Sequence, residues 1–298
     1  MITIENVYKK FGKAEILKDL SCEIQNHSIY GLVGANGAGK STLLRLINGV
    51  YEMDKGSIKI DGEEISDNEL LKQKLVFIPD DLFFYSTYTL LDSAKFYEAM
   101  YKKFDMEAFK EMASLLKLDL KKKVTTFSKG MKRQCALILA LATNAEYMFF
   151  DETFDGVDPV VRTVLKKLLA KQTLEKNATI IMTSHNLREL EDICDNLGLL
   201  YKGGILFQSD IDTLKTNMCK VQISLKGEFN EDSFKEFSLL NYKKCGSVAT
   251  LIIRGTREET EKEFKKMKPI ILDYIPITLE ELFIYEMESV GYAFNEII

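Results

Sequence analysis

Short apolar runs separated by longer amphipathic stretches dominate the first two thirds of the chain. Strand-like runs lie at 28–33, 147–150 and 178–184, and the last of them is almost continuously apolar, which is typical of a strand buried on both faces of a parallel sheet. The other strand-like segments are 2–7, 16–25, 55–62, 74–78 and a pair within 196–208. The predicted helices follow Ser41 and fill about 90–142 and 160–174. This alternation predicts an α/β fold around a sheet that is largely parallel.

The pattern changes after about residue 210. Strands are predicted at 219–225, 239–245, 248–254 and 270–274, with helices at 231–237 and 257–267 between them. This βαββαβ order predicts a small ferredoxin-like α+β domain. A last helix follows, with a capping box at Thr278 and Glu281 and apolar residues at helical spacing at Leu279, Leu282, Phe283, Met287 and Val290. We therefore predict two domains, 1–210 with a helical insertion at about 82–145, and 211–298.

Composition excludes several classes of protein. The chain has 298 residues and a net charge of −5, so a broad surface for nucleic acid is not expected. No run of 18 apolar residues is present and the N-terminus lacks a signal-peptide pattern, which predicts a cytosolic protein without a membrane span. Five cysteines without C-x-x-C spacing and two histidines favour reduced thiols over disulfides or a zinc site.

The most specific motif is GANGAGKS, from Gly34 to Ser41. It matches G-x-x-x-x-G-K-[ST] between a predicted strand and a predicted helix, the context in which this loop binds phosphate. Backbone N–H groups would surround the phosphates of ATP, Lys40 would reach the outer phosphates, and the Ser41 hydroxyl would ligate Mg²⁺. The loop residues expected to bind ATP are Gly34, Asn36, Gly37, Ala38, Gly39, Lys40, Ser41 and Thr42.

Two acidic residues follow the apolar strand at 147–150. A phosphate loop of this kind requires an acidic Mg²⁺ ligand at the end of a neighbouring strand, and Asp151 has that position. Glu152 comes next and could orient or deprotonate the attacking water. The alternative for Glu152 is a helix-capping or solvent-exposed carboxylate.

The stretch FSKGMKRQ (127–134) precedes an apolar helix. Ser128 is a normal N-cap, but Gly130 near the start of a helix costs roughly 1 kcal/mol relative to Ala. This choice indicates that a bare backbone is needed at that position.

In this combination the motifs resemble the ATP-binding subunit of an ABC transporter over residues 1–210. The resemblance implies a RecA-like core with an antiparallel β subdomain and a helical insertion, and it assigns further roles. FSKGM resembles the signature sequence, which completes the ATP site of a second subunit; its residues are Ser128, Lys129, Gly130 and Met131. Lys129 replaces the usual Gly and Met131 the usual Gln, variants that resemble those of small drug, lantibiotic and peptide exporters.

The same resemblance assigns four more positions. Asp158 of DGVDP would lie in the dimer interface, and His185 of TSHN would contact the γ-phosphate. Phe11 would stack on adenine. Asp80 stands where the family has a Gln that touches Mg²⁺ and water, and whether this carboxylate also contacts Mg²⁺ stays open. Alternatives are a capping role for His185 and a core position for Phe11.

An aromatic cluster follows Asp80, in the region that forms the groove for the membrane subunit in this family. Its members are Phe83, Phe84, Tyr85 and Tyr88. Aromatic side chains are favoured anchors at interfaces, although ordinary packing within the helical insertion would also explain them.

The resemblance implies an ATPase with ATP and Mg²⁺ as cofactors and a head-to-tail dimer around two ATP. A separate membrane subunit would be driven from the cytoplasmic face, exporting a peptide, antibiotic or other amphipathic compound. No nucleic-acid partner is expected. The alternatives are a non-transport ABC ATPase and a P-loop kinase or regulatory module. The cargo, the identity of the second ATP-binding subunit and the role of residues 211–298 stay open.

Overall fold

The computed structural model describes residues 1–65 and 68–289. Two compact units are present, Met1–Gln208 and a second unit that begins at Ser209. The strands of the first are β1 (Ile2–Phe11), β2 (Ala14–Ile24), β3 (Ile29–Val33), β4 (Lys55–Ile60), β5 (Glu63–Glu64), β6 (Leu75–Ile78), β7 (Tyr147–Phe150), β8 (Thr179–Ser184), β9 (Asn196–Tyr201) and β10 (Gly204–Asp210). Its helices are α1 (Lys40–Ile47), α2 (Glu69–Lys72), α3 (Leu90–Met100), α4 (Met106–Leu115), α5 (Lys129–Ala142), α6 (Pro159–Lys176) and α7 (Leu187–Glu191).

A six-stranded sheet in the order β10-β9-β3-β8-β7-β6 forms the centre of the first unit. Strands β9, β3, β8, β7 and β6 pair in parallel, as the apolar runs predict. The carboxyl ends of parallel strands lie at one edge of a sheet, where α/β proteins bind their ligands. The residues that follow β3, β6, β7 and β8 therefore share that edge.

A four-stranded antiparallel sheet, β2-β1-β4-β5, lies beside the central sheet. Strand β1 extends beyond the predicted end to Phe11, because Phe11 pairs with Ala14 across a two-residue turn. In that turn Gly12 has φ +60°, a value that glycine adopts without strain. Buried residues of this sheet, such as Ile4 and Leu17, form one core with Leu44 of α1 and Phe149 of β7. This core fixes the helix that follows the phosphate loop.

Helices α3, α4 and α5 form the helical insertion around a core of their own, which includes Phe109 and Leu139. Side-chain caps define their starts: Thr89 and Asp92 form a capping box, Asp105 caps α4, and Ser128 caps α5. From Arg133 to its last residue, α5 is buried, as its apolar sequence predicts.

The second unit contains a four-stranded antiparallel sheet in the order β12-β13-β11-β14. Its elements are α8 (Ile211–Thr216), β11 (Met218–Ser224), β12 (Ser238–Cys245), β13 (Val248–Arg254), α9 (Arg257–Lys266), β14 (Ile271–Ile275) and α10 (Leu279–Ser289). The prediction of an α-helix at 231–237 was wrong. A single 3₁₀ turn, Glu231–Phe234, is found there, and it suffices to bury Phe234 in the core of the sheet.

The capping box at the start of α10 is confirmed. The Thr278 N–H donates to Glu281 Oε2 (3.1 Å), and the Glu281 N–H donates to Thr278 Oγ1 (3.2 Å). Leu279, Leu282 and Phe283 are buried, as their spacing predicts. Met287 and Val290 lie outside the side chains that the structure describes.

Candidate functional site

An open cleft of about 440 Å³ lies at the carboxyl edge of the central sheet. The phosphate loop, the end of β1 and the loops after β6, β7 and β8 all contribute to it. Its lining residues are Phe11, Ile16, Asn36, Gly37, Gly39, Lys40, Ser41, Thr42, Asp80, Glu152, Asp155 and His185. The fold thus brings residues from both ends of the first unit's sequence into one cleft.

The phosphate loop depends on glycine at defined positions. Gly37 and Gly39 have φ values of +83° and +109°, which side chains with a Cβ rarely adopt. A Cβ on Gly39 would also stand 2.8 Å from Leu17 Cδ2, and one on Gly34 would stand 2.6 Å from the Leu200 carbonyl oxygen. Helix α1 begins directly after Gly39. The free N–H groups and the dipole at this end of the helix favour an anion.

Lys40 is only 6% exposed, and its ammonium group contacts three oxygen atoms. Its Nζ donates to the carbonyl oxygens of Gly34 (2.6 Å) and Ala35 (3.3 Å). It also lies 3.4 Å from Glu152 Oε1. The ammonium group is therefore in place at the cleft, with acceptors that a phosphate could exchange for its own oxygens.

Asp151 is fully buried at the end of β7. Its Oδ1 accepts a hydrogen bond from Thr183 Oγ1 (2.7 Å). Its Oδ2 has no hydrogen-bond partner in the described part of the chain. A buried carboxylate oxygen without a partner is costly, and a divalent cation would satisfy it. The donor set of Asp151 and the Ser41 hydroxyl, both oxygens, fits Mg²⁺.

Glu152 projects into the cleft from a strained backbone. Its φ is +48°, an uncommon value for a residue other than glycine and one that is often found at functional sites. The Glu152 N–H donates to Thr183 Oγ1 (3.0 Å), so the Thr183 hydroxyl holds both acidic residues. Sequence reasoning missed Thr183; its place one residue before Ser184-His185 was the available signal.

His185 contacts Glu152 through Nδ1, 2.9 Å from Oε2. An ionised carboxylate only accepts, so Nδ1 carries the hydrogen in this pair. The ring can then donate from Nε2 as well only in its charged imidazolium form. Each carboxylate oxygen of Glu152 therefore has its own partner: Lys40 contacts Oε1 and His185 contacts Oε2. The two contacts fix the position of the carboxylate in the cleft.

The loop that carries His185 is braced from α6. Ser184 Oγ accepts from the Asn186 N–H (2.9 Å) and donates to Glu189 Oε2 (3.0 Å). Arg162 Nη1 lies 3.1 Å from Glu189 Oε1, while its Nη2 reaches the Val157 carbonyl oxygen. Arg162 thus links the loop after β7, at Val157, to Glu189 of α7, which in turn holds Ser184 at the end of β8.

Asp80 and Asp155 line the cleft, and each is paired with a basic side chain of α5. The buried Arg133 of α5 donates from Nη2 to Asp80 Oδ1 at 2.6 Å, and the same atom lies 3.5 Å from Asp155 Oδ2. Lys129 Nζ donates to the same Asp155 oxygen at 3.0 Å. That hydrogen bond lowers the pKa of Asp155, against the opposing effect of partial burial. The interpretation of Asp80 as a possible Mg²⁺ contact therefore stays a prediction. Sequence reasoning missed Asp155, which lines the cleft, and Arg133, which contacts both of these carboxylates.

The predicted signature residues lie outside the lining of the cleft within the described residues. Ser128 Oγ caps α5 by accepting from the Met131 N–H (3.2 Å), and Met131 packs into the core of the helical insertion. A Cβ on Gly130 would stand 2.6 Å from the Gly156 carbonyl oxygen. The close approach of this carbonyl explains, within one chain, why glycine stands at the second position of α5.

Asp158 is exposed and caps α6, since its Oδ1 accepts from the N–H groups of Val160 (2.8 Å) and Val161 (3.4 Å). Phe11 is 45% exposed, which excludes the alternative of a core position. Its ring makes an edge contact with Tyr51, with 5.3 Å between centroids. A flat, exposed ring at the rim of the cleft can stack on a base.

The aromatic cluster after Asp80 lines a second cavity, of about 270 Å³. Phe83 is 77% exposed, whereas Phe84 packs against the core of the helical insertion. Tyr85 contacts Phe83 and Tyr88 at ring-centroid distances of 5.3 and 4.8 Å. The cluster is thus partly packed and partly open.

Comparisons with known proteins identify the family. A family model described as ABC transporter matches residues 17–155. The ABC transporter ATP-binding protein YtrB of Bacillus subtilis (strain 168) is 31% identical over 95% of this chain and 97% of its own length. The chain belongs to the ABC transporter ATP-binding family. The linearmycin resistance ATP-binding protein LnrL of the same organism is 35% identical over 74% of this chain and 71% of its own length.

Solved structures agree with this family assignment. One described as an ATP-binding subunit of an ABC transporter has a TM-score of 0.66 and 25% identity, covering 72% of this chain and 92% of that one. The ABC fold class predicted from the sequence is confirmed, and so is the activity, because the ATP-binding proteins of this family are ATPases that work as dimers with membrane subunits. No helix in residues 1–65 and 68–289 is both long and apolar enough to cross a membrane.

Proposed function

We propose that this chain hydrolyses ATP in the cleft and thereby drives a separate membrane subunit. The observation that carries the proposal is the convergence of Lys40, Asp151, Glu152 and His185 on a glycine-rich phosphate loop. The loop N–H groups and Lys40 would bind the phosphates, and Phe11 would stack on adenine. Because a phenyl ring offers no hydrogen bond, we expect weak selectivity among bases.

Ser41 and Asp151 would hold Mg²⁺, which supplies charge neutralisation for the phosphates when it is bound. The remaining work belongs to the chain itself. Glu152 would orient the attacking water and accept its proton, and its two contacts, to Lys40 and His185, set where that carboxylate stands. His185 would contact the γ-phosphate. The strained backbone at Glu152 supports this role.

A head-to-tail dimer would complete each ATP site. Ser128 and Lys129 are exposed at the start of α5, so they are available to the ATP of a second subunit, with the N–H groups around Gly130. Asp158 is also exposed and would lie in this interface. The positive end of the α5 dipole would favour the partner's phosphate. Closure of the dimer would assemble the sites, and hydrolysis would release them.

The membrane subunit would bind at the aromatic cluster. The exposure of Phe83 and Tyr85 beside a cavity supports this placement. The chain would act at the cytoplasmic face of the membrane. Its likeness to LnrL, named for linearmycin resistance, favours export of an antibiotic-like, peptide or other amphipathic compound. We place the domain boundary near residue 210. The second unit, which follows it, would be an accessory domain.

The decisive experiment is the variant Glu152→Gln. Loss of the base should lower ATP turnover by about 10²–10⁴-fold and leave ATP binding intact, so that an ATP-bound dimer accumulates. Light scattering after size exclusion with and without ATP measures this change. The matched control is Glu146→Gln, which alters a partly exposed glutamate at the opposite end of β7 and should leave turnover unchanged.

Unchanged turnover in Glu152→Gln would remove Glu152 from the mechanism. Lys40→Ala should lose ATP binding, and retained affinity would argue against the phosphate-loop assignment itself. Co-purification of the native chain with a multi-span membrane protein would favour the transporter over a non-transport ABC ATPase.

A further inference from the structure

Two basic side chains at the start of α5 neutralise two acidic side chains of the ATP cleft. Arg133 contacts Asp80 at 2.6 Å and Asp155 at 3.5 Å, and Lys129 contacts Asp155 at 3.0 Å. These contacts join three separate segments: the first turns of α5, the loop after β6 and the loop after β7. Both acidic residues line the cleft, whereas neither basic residue does within the described chain.

The charges in the lining explain why such neutralisation matters. Asp80, Glu152 and Asp155 are acidic, and Lys40 is the one Lys or Arg among the lining residues that the structure describes. Asp151 adds a further carboxylate close behind them. An ATP polyphosphate would meet this acidic set at short range, within the Debye length of about 8–10 Å, so dissolved salt does not fully screen the repulsion between like charges.

Arg133 is suited to a fixed neutralising role. Its side chain is only 3% exposed, whereas that of Asp80 is 53% exposed. A buried guanidinium is stable only with a partner, so Asp80 is held toward α5.

We propose that Arg133 and Lys129 are positioning residues that hold and neutralise Asp80 and Asp155, so that the cleft of their own chain accepts the polyphosphate. This inference rests on the proposed function and adds a role for α5 within one subunit. It differs from the signature role, in which the start of α5 acts on the ATP of a partner.

The test is calorimetric titration of the full chain with ATP and Mg²⁺. Arg133→Gln should weaken ATP binding by about tenfold, since two carboxylates would then face the phosphates with less compensation. Arg133→Gln combined with Asp80→Asn should bind within about threefold of Asp80→Asn alone. The loss should also shrink in about 0.5 M salt, because the repulsion is screened. Lys110→Gln, which breaks an exposed pair with Glu107 on α4, should bind ATP as the native chain does.

A second cycle avoids the buried arginine. Lys129 is 72% exposed and Asp155 46% exposed, so substitutions there should leave thermal unfolding almost unchanged. Lys129→Gln should weaken ATP binding by about threefold, and adding Asp155→Asn should restore it. A purely structural role for the pair would not give this rescue.

The proposal is overturned if Arg133→Gln and Lys129→Gln both bind ATP like the native chain. It is also overturned if removal of the paired acid restores nothing in either cycle. These failures are distinct from failure of the proposed function, which would appear as native ATP binding in Lys40→Ala.

Discussion

Gly130→Ala gives a direct test of the close approach between α5 and the loop after β7. The added Cβ would stand 2.6 Å from the Gly156 carbonyl oxygen, a contact that real Cβ atoms essentially never make below 3.0 Å. The loop or the helix must therefore retreat by at least 0.4 Å, and by 0.8 Å to reach an ordinary contact at 3.4 Å. The displaced loop carries Asp155 and Asp158.

Two opposing effects determine the magnitude. Overpacking of this kind costs about 1–3 kcal/mol, whereas alanine in place of glycine favours the helix by about 1 kcal/mol. The net result is a loss of about 1 kcal/mol. For a unit of this size that lowers Tm by about 2–4 °C.

Thermal unfolding of the nucleotide-free chain is the appropriate assay, because no partner's ATP is present to involve the signature role of Gly130. Gly204→Ala is the matched control: its Cβ would meet only the Lys18 carbonyl oxygen, at 3.6 Å, so Tm should not fall. A rise of about 2–4 °C in Gly130→Ala, as helix propensity alone predicts, would refute the reasoning.

Two further predictions concern other parts of the chain. Thr183→Val removes the hydroxyl that bonds Asp151 and Glu152; it should cost about 1–3 kcal/mol and lower kcat about tenfold, a typical loss for misplaced catalytic groups. Thr179→Val, which removes a hydroxyl at the other end of β8, should cost stability without lowering kcat, and equal kcat in the two variants would contradict the assignment. Burial alone would raise the pKa of Glu281, but bonds from Lys220 and Thr278 outweigh it and lower the pKa. The ionised Glu281 therefore stabilises the fold above about pH 4.3, the ordinary pKa of a glutamate, and this stabilisation is lost as the pH falls below it. In urea unfolding Glu281→Gln should be less stable than the native chain at pH 7, and the gap should narrow as the pH is lowered; a gap that does not change with pH would exclude this linkage.

The main features of the cleft could be predicted because they depend on local sequence and on the geometry of parallel strands. The phosphate loop has its own spacing, and Asp151, Glu152 and His185 each follow an apolar run. Once such runs pair in parallel, the residues after them share an edge. The positions of Asp151, Glu152 and His185 could therefore be predicted from the order of apolar runs. The roles of these residues stay predictions, which the variants above test.

The charge cluster could not be predicted, since it depends on approach between distant segments. Arg133 and Asp80 are 53 positions apart, and Lys129 and Asp155 are 26 apart. No periodicity relates such pairs. The same applies to Gly130, whose neighbour is a backbone carbonyl after β7. The 3₁₀ turn at Glu231–Phe234 was also missed, because apolar spacing over so few residues does not distinguish one turn from a short α-helix.

The contacts of Lys40 bear on how the cleft empties. In the structure its ammonium group is bound by two carbonyl oxygens of the phosphate loop and by Glu152. A departing nucleotide would therefore not strand a buried positive charge, because the loop supplies replacement acceptors at once. This exchange of phosphate oxygens for protein oxygens around Lys40 lowers the barrier to product release, relative to a lysine with no other partner. We expect the rate of ADP dissociation, and hence the time between successive cycles, to depend on these three acceptors as well as on the contacts to ADP itself.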